Sequence, residues 1–290
     1  MQGFQVANFQ HRWRSMSKFC DQHEFNEFVS CKGKCRQWRH LLKEAVSMGQ
    51  VNNSNFPHIG VARGFKHILE TLGDGVEVDS VPTFTPDQRF NLNWAPLFDE
   101  VDEARAQGHT IRPEIIGPLT YLWLGQAEGE GFDKLDLLDR LLPVYGEILG
   151  RLAGKGVEWV QIDEPILTLD LPQDWKNAFE RAYHALQYSP LKKLLAVSCG
   201  GLGLGSNLGL AVCLPVQGLH VDVLSAPEQM PLVLDRLPTY KVLSLGVVGE
   251  LDAASANAEA ALEVVKEAQL RFADNLWVSD SISTPTTAAA

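Results

Sequence analysis

The chain has 290 residues, of which 45% are hydrophobic and 21% charged, enough apolar mass for one large core or two modest ones. Its 36 acidic side chains outnumber 25 Lys and Arg for a net charge of -11, a field that repels phosphate and argues against binding of nucleic acid or an anionic membrane. No apolar run reaches the roughly 18 residues of a membrane span. No signal-peptide pattern opens the chain, and five cysteines in this length suit a reducing compartment better than a disulfide scaffold, so a cytoplasmic protein is expected.

The charge is uneven. Residues 1–50 carry eight Lys or Arg against four acids, and hold Cys20, Cys31 and Cys35. This basic leader is expected to end near the turn-rich Gln50-Val-Asn-Asn-Ser-Asn55, giving a leader 1–55, a main domain 56–279 and a small polar tail 280–290. Cys20, His23, Cys31, Cys35 and nearby His40 have soft ligands in number for zinc, but not the tight paired spacing, so a leader without metal is preferred. Trp13, Phe19 and Trp38 among basic residues could stack on single-stranded nucleic acid, which the four interleaved acids oppose.

From Asn91 onward two textures alternate. Residues 91–108 read as a helix ending at Gly108, and 111–116 as a strand broken by Gly117-Pro118. Residues 132–154 read as a long amphipathic helix that Pro143 should kink or end early. Strands follow at 157–162, 191–198, 219–224, 241–248 and 275–278, with helices over 175–187, 227–237 and 253–272. The glycine-rich run 200–209 lacks the third glycine of a dinucleotide fingerprint and any Gly-Lys-Ser/Thr, so it reads as a flexible loop. Six strands alternating with helices predict an α/β fold, a (β/α) barrel of the TIM type with six of its eight strands accounted for. The other two must come from 56–90, or the barrel is incomplete. An open parallel sheet is the alternative.

In both architectures chemistry belongs at the carboxyl ends of the strands. Period-two alternation sets Trp159, Gln161 and Asp163 on one face against Val160 and Ile162 on the other, so Gln161 and Asp163 should point inward. A carboxylate at that place can hold an ammonium group or act as a base; it can also merely tether a loop. His220 and Asp222 share a face and could form an acid–base couple or a metal ligand with its orienting partner, although a satisfied interior pair is the plainer reading. Thr120 offers a hydroxyl where a ligand could meet it. Paired carboxylates such as Asp163 and Asp222 would also suit a barrel hydrolase.

Several segments resemble the amino-terminal half of cobalamin-independent methionine synthase: FNLNWAPLFDEVDEARAQGH (90–109), IIGPLTYLWLG (115–125), LLPVYGEILGRLAGKGVEWVQIDEP (141–165), LPVQGLHVDVLSAPEQ (214–229), LDRLPTYKVLSLGVV (234–248) and NLWV (275–278). Upstream, Phe56-Pro-His-Ile-Gly-Val-Ala-Arg-Gly-Phe-Lys66 is similar to the family's opening FPRIG-xx-RELK, with His58 for its arginine and Gly64-Phe65 for its Glu-Leu.

The resemblance implies methyl transfer from methyltetrahydropteroyl-polyglutamate to the sulfur of homocysteine. It implies two similar barrels, the second carrying zinc on His, Cys, Glu and Cys to make the thiolate. Arg63 and Lys66 match positions that bind the anionic folate tail, which their donors suit. Asp163 matches the second barrel's homocysteine-contacting aspartate, while Leu169 stands where that barrel has a folate-contacting glutamate. About a hundred family residues between Lys66 and Gln88 have no counterpart, and Gly-Glu-Leu-Asp-Ala-Ala after Val248 and SDSISTP after Val278 depart from the family pattern. The expectation is therefore a truncated or rearranged relative that holds no cofactor of its own and is inactive alone. Its candidate partners are a methylated polyglutamyl folate and a chain supplying the other half.

Overall fold

A computed structural model describes residues 83–92, 96–106, 108–129, 131–197, 203–224, 226–248 and 256–280. The leader 1–55 with its Cys/His set, Arg63 and Lys66, Cys199 and the tail 281–290 lie outside the described residues.

The elements in order are β1 (Thr83–Phe84), α1 (Pro96–Ala106), β2 (Glu114–Ile116), α2 (Pro118–Leu124), β3 (Gln126–Ala127), α3 (Leu138–Gly154), β4 (Trp159–Asp163) and α4 (Gln173–Leu186). Then come β5 (Lys192–Val197), α5 (Leu208–Cys213), β6 (Gly218–Asp222), α6 (Met230–Arg236), β7 (Val242–Val248), α7 (Ala256–Phe272) and β8 (Leu276–Asp280). Six strands form one all-parallel sheet in the order β2-β4-β5-β6-β7-β8, while β1 and β3 pair separately. Each strand neighbours its successor in sequence. An open doubly wound sheet would reverse its order at a switch point; this one never does, so it is the barrel winding.

The pleat sorts the strands' side chains into two environments. Ile115, Val160, Ile162, Leu195, Val197, Leu219, Val221, Leu243, Leu245, Leu276 and Val278 join the core shared with the helices. The other parity runs across the sheet by register: Ile116, Asp163, Ala196, His220 and Ser244 lie in one row, with Glu114, Gln161, Leu194, Gly218 and Val242 in the row below. The outer face is apolar because it meets helices; the inner face carries the polar groups. The sheet also curls. A flat sheet would hold β2 and β8 about 24 Å apart at the usual strand spacing, yet the Arg112 guanidinium, just before β2, lies over the Trp277 ring of β8 at 5.8 Å. Among the described residues the circle has six strands, and no backbone ladder joins β8 to β2.

Two sequence expectations are corrected. Pro143 neither breaks nor shortens α3, which runs unbroken over 17 residues. It sits on the exposed side, so the carbonyl that its missing N–H leaves free faces water, while Leu141, Val144, Tyr145, Ile148, Leu149 and Leu152 stay buried. The glycine-rich run is not all loop: Gly205–Asn207 is a 3-10 turn leading into α5, anchored by buried Leu204, Leu208 and Ala211. Within 56–90, the described strand β1 does not enter the main sheet. Phe84 packs instead in a cluster of edges with Phe90 and Tyr121, its ring 5.4 Å from the tyrosine's. Arg140 fastens the same segment by donating to the carbonyls of Pro86 (2.7 Å) and Gln88 (3.3 Å).

Candidate functional site

The carboxyl ends of β2, β4, β6 and β7 bring the inward polar residues to one rim. Asp163, half-buried at the last position of β4, accepts a hydrogen bond at 2.8 Å from the amide of buried Gln161, two residues earlier on the same face. His220 is buried on β6, and its Nδ1 shares a 3.0 Å hydrogen bond with Ser244 Oγ of the neighbouring strand. Asp222, also buried, receives the Leu224 backbone N–H at 2.9 Å, so one of its oxygens shapes the turn that leaves β6. Gln161 and Asp163 are thus brought together directly. Thr120 is fully buried and bonded to a residue the sequence reading passed over, Glu164.

Glu164 lies one position beyond β4 and is completely buried. Its carboxylate accepts the Leu119 N–H at 3.2 Å, the Thr120 N–H at 2.8 Å, the Thr120 hydroxyl at 2.5 Å and the Tyr183 hydroxyl at 3.3 Å. The two N–H groups belong to the first turn of α2, where backbone donors lack helical partners and Pro118 contributes none. Gly117, the cap residue, has no side chain to meet them. A carboxylate from 45 residues downstream does so, at the helix end whose partial charge favours an anion. Gly117 must be glycine here, since a Cβ would fall inside the Glu164 carboxyl group. Burial pushes the Glu164 pKa up to about 7 against the hydrogen bonds from Thr120, Leu119 and Tyr183, which pull it down. The same burial, with Glu164 close by, lifts the Tyr145 and Tyr183 hydroxyls well above their ordinary value.

The pattern repeats around the rim. Asn207, buried after β5, donates from Nδ2 to the carbonyls of Leu167 (2.9 Å) and Leu169 (2.6 Å) in the loop after β4. Gln229, after β6, accepts the Leu204 N–H at 3.1 Å from the loop after β5. Each loop is tied to the one before it, and each tie is a buried polar side chain holding backbone.

At this rim a carboxylate, a histidine and amide and hydroxyl groups can orient a polar ligand and hold or move a proton. The donor set does not fit a zinc ion. Among the described residues no three His, Cys, Asp or Glu side chains converge on a common point. Cys213, the described cysteine, is exposed at the end of α5. Nor is any described helix long and apolar enough to cross a membrane.

Residues 80–273 match the family model described as the N-terminal domain of cobalamin-independent synthase. Among solved structures, a B12-independent methionine synthase of a Shewanella species, in complex with selenomethionine, aligns at 17% identity with a TM-score of 0.58, covering 91% of this chain and 84% of that one. A methyltransferase of Methanosarcina mazei aligns at 13% identity with a TM-score of 0.56, covering 90% and 85%. At such identities the likeness is one of fold.

Proposed function

Because the chain belongs to the cobalamin-independent synthase family through its N-terminal domain, we propose that it serves methyl transfer as a folate-binding module. In this reading it holds a methylated polyglutamyl folate, Arg63 and Lys66 meet the anionic tail, and the barrel rim meets the rest. The observation that carries it is the polar inner face toward the strand ends, where Asp163 and His220 share one row and Asp222 follows two positions along β6, in a family-matched barrel sheet, instead of the apolar filling of a purely structural one. Activation of the homocysteine thiol lies elsewhere in this reading. In this reading the chain works with a second domain or chain that supplies the metal lowering the thiol's pKa, a role for which the described donors offer no convergent set.

Calorimetric titration with methyltetrahydropteroyl triglutamate tests the proposal, using the full chain and its Lys66→Ala and Asp163→Asn variants. Binding that weakens about tenfold or more in either variant supports it. No binding, or identical affinity in all three, overturns it. Methionine formation by the chain alone, with zinc and both substrates, at the rate of a complete synthase would overturn the claim of inactivity.

A second reading has its own observation. Asp163 presents a carboxylate at a strand end of a fold that, in the Shewanella protein, is seen with selenomethionine. The rim would then take a sulfur amino acid by its ammonium group. Saturable methionine binding lost in Asp163→Asn, with no response to the folate, selects this reading over the first.

A further inference from the structure

We propose that Glu164 is the positioning residue of this rim: its carboxylate binds the Gly117–Thr120 turn to the end of β4, so that Asp163 and the first turn of α2 move as one unit. The Gly117 N–H donates to the Asp163 carbonyl at 2.8 Å, and the Glu164 N–H continues the ladder to the Ala196 carbonyl at 2.8 Å. The Glu164 side chain then turns back to take both amides and the hydroxyl of the turn it faces. Backbone and side chain of two consecutive residues therefore close a ring between the loops after β2 and β4. Tyr183 from α4 adds a third element, and Tyr145 from α3 secures the Ile116 carbonyl at 2.8 Å just below. Glu164 is fully shielded from bulk solvent, so the two amides capped at the start of α2 depend on this one carboxyl, which ties them to the residue after Asp163.

Because the ring is buried, its charge state has a readable sign. The titratable groups facing Glu164 are Tyr183 from α4, which Asp163 of β4 also influences, and Tyr145 from α3; burial is the leading cause of its shift. Opening the ring returns the carboxyl to water and to its ordinary pKa. The closed ring therefore holds a proton that the open one releases between pH 4.5 and about 7.

The test has two arms. In the first, amide hydrogen exchange of Leu119 and Thr120 is followed with pH in the wild type, Glu164→Gln, Thr120→Val and Thr120→Ser. Protection in the wild type should fall as pH rises toward about 7, by at most about tenfold per unit, and level off above. Glu164→Gln should be flat with pH and about tenfold less protected below pH 4.5, where the wild-type ring is fully closed. Thr120→Val keeps Glu164 and covers the case in which Glu164→Gln does not fold; it should lose protection that Thr120→Ser restores. Equal protection in wild type and Glu164→Gln, or in Thr120→Val and Thr120→Ser, overturns the proposal.

The second arm rests on the folate reading and measures methyltetrahydropteroyl triglutamate affinity. A wild type that binds and a Glu164→Gln protein that binds about tenfold more weakly support positioning, and equal affinity overturns it. A wild type that does not bind removes the folate reading, and the exchange arm then decides the role of Glu164 on its own.

Discussion

Trp159 and Trp277 meet edge to face, their ring centroids 4.6 Å apart and their planes at 66°, although three strands stand between β4 and β8 in the sheet. The pair is flanked by cations, Arg112 over Trp277 at 5.8 Å and Lys192 over Trp159 at 5.5 Å, and Lys192 also pairs with Glu158 at 2.6 Å. Four side chains thus bridge the inside of the curl near the amino ends of β2, β4 and β5. Among the described residues this side-chain contact, rather than a backbone ladder, joins the two sides of the curl.

Replacing Trp277 by Ala is expected to cost about 2–4 kcal/mol, from lost burial and the lost ring pair. Trp159→Phe keeps an edge-to-face partner and should cost about 1 kcal/mol. Urea unfolding checks the order. The circular-dichroism exciton couplet of the two indoles, present in the wild type, should vanish in both variants.

Gly117→Ala drives a methyl group into the Glu164 carboxyl, so the variant is expected to lose about 2–3 kcal/mol or more. Shortening the obstruction should recover part of the loss. A cycle with Glu164→Ala should give a coupling of about 1 kcal/mol or more in favour of the double variant. Additive losses in thermal or chemical unfolding would show that the two positions do not meet.

Global stability should carry the Glu164 proton as well. Its folded pKa of about 7 lies above the ordinary 4.5, so the stabilisation it contributes is complete below pH 4.5 and lost as pH rises to about 7. Relative to Glu164→Gln, the wild type should therefore lose up to about 3 kcal/mol across that interval and nothing further above it. Unfolding free energies at several pH values measure the difference directly.

Lys193 predicts the opposite trend at alkaline pH. It is buried, with its ammonium donating to the carbonyls of Leu191 (2.9 Å) and Ser189 (3.3 Å), and burial lowers its pKa from 10.5 to about 8. The unfolded chain binds more protons between those values, so stability should rise with pH from about 8 to 10.5. Lys193→Met should remove that rise and, by orphaning two carbonyls, cost about 1–2 kcal/mol at neutral pH. Lys241, whose Nζ holds the carbonyls of Val212 and Leu214 at the end of α5, shifts in the same direction.

The winding of the main sheet was legible because strand parity and helix spacing are local properties of the chain. Gln161 and Asp163 fall on the polar side of β4 by simple alternation. What escaped was written across distance. Glu164 stands one residue past the alternating run, in a place that reads as a strand stop before Pro165, and its partners lie 44 and 45 residues upstream and 19 downstream. The one local hint was Gly117, a cap position without a capping side chain. Helix α2, Pro-Leu-Thr-Tyr-Leu-Trp-Leu, is apolar almost throughout and buried along most of its length, so it has no period to detect. Pro143 misled because the proline rule counts the lost N–H and not the face it falls on; the apolar spacing of Leu141, Tyr145, Ile148 and Leu152 already turns it toward water.

The ties among the rim loops all point upstream: Glu164 grips Leu119 and Thr120, Asn207 grips Leu167 and Leu169, and Gln229 grips Leu204. On a ribosome, where the amino-terminal units emerge first, each new strand and its loop would find its mooring already made. The order of synthesis therefore never makes one of these side chains wait for the loop backbone it holds.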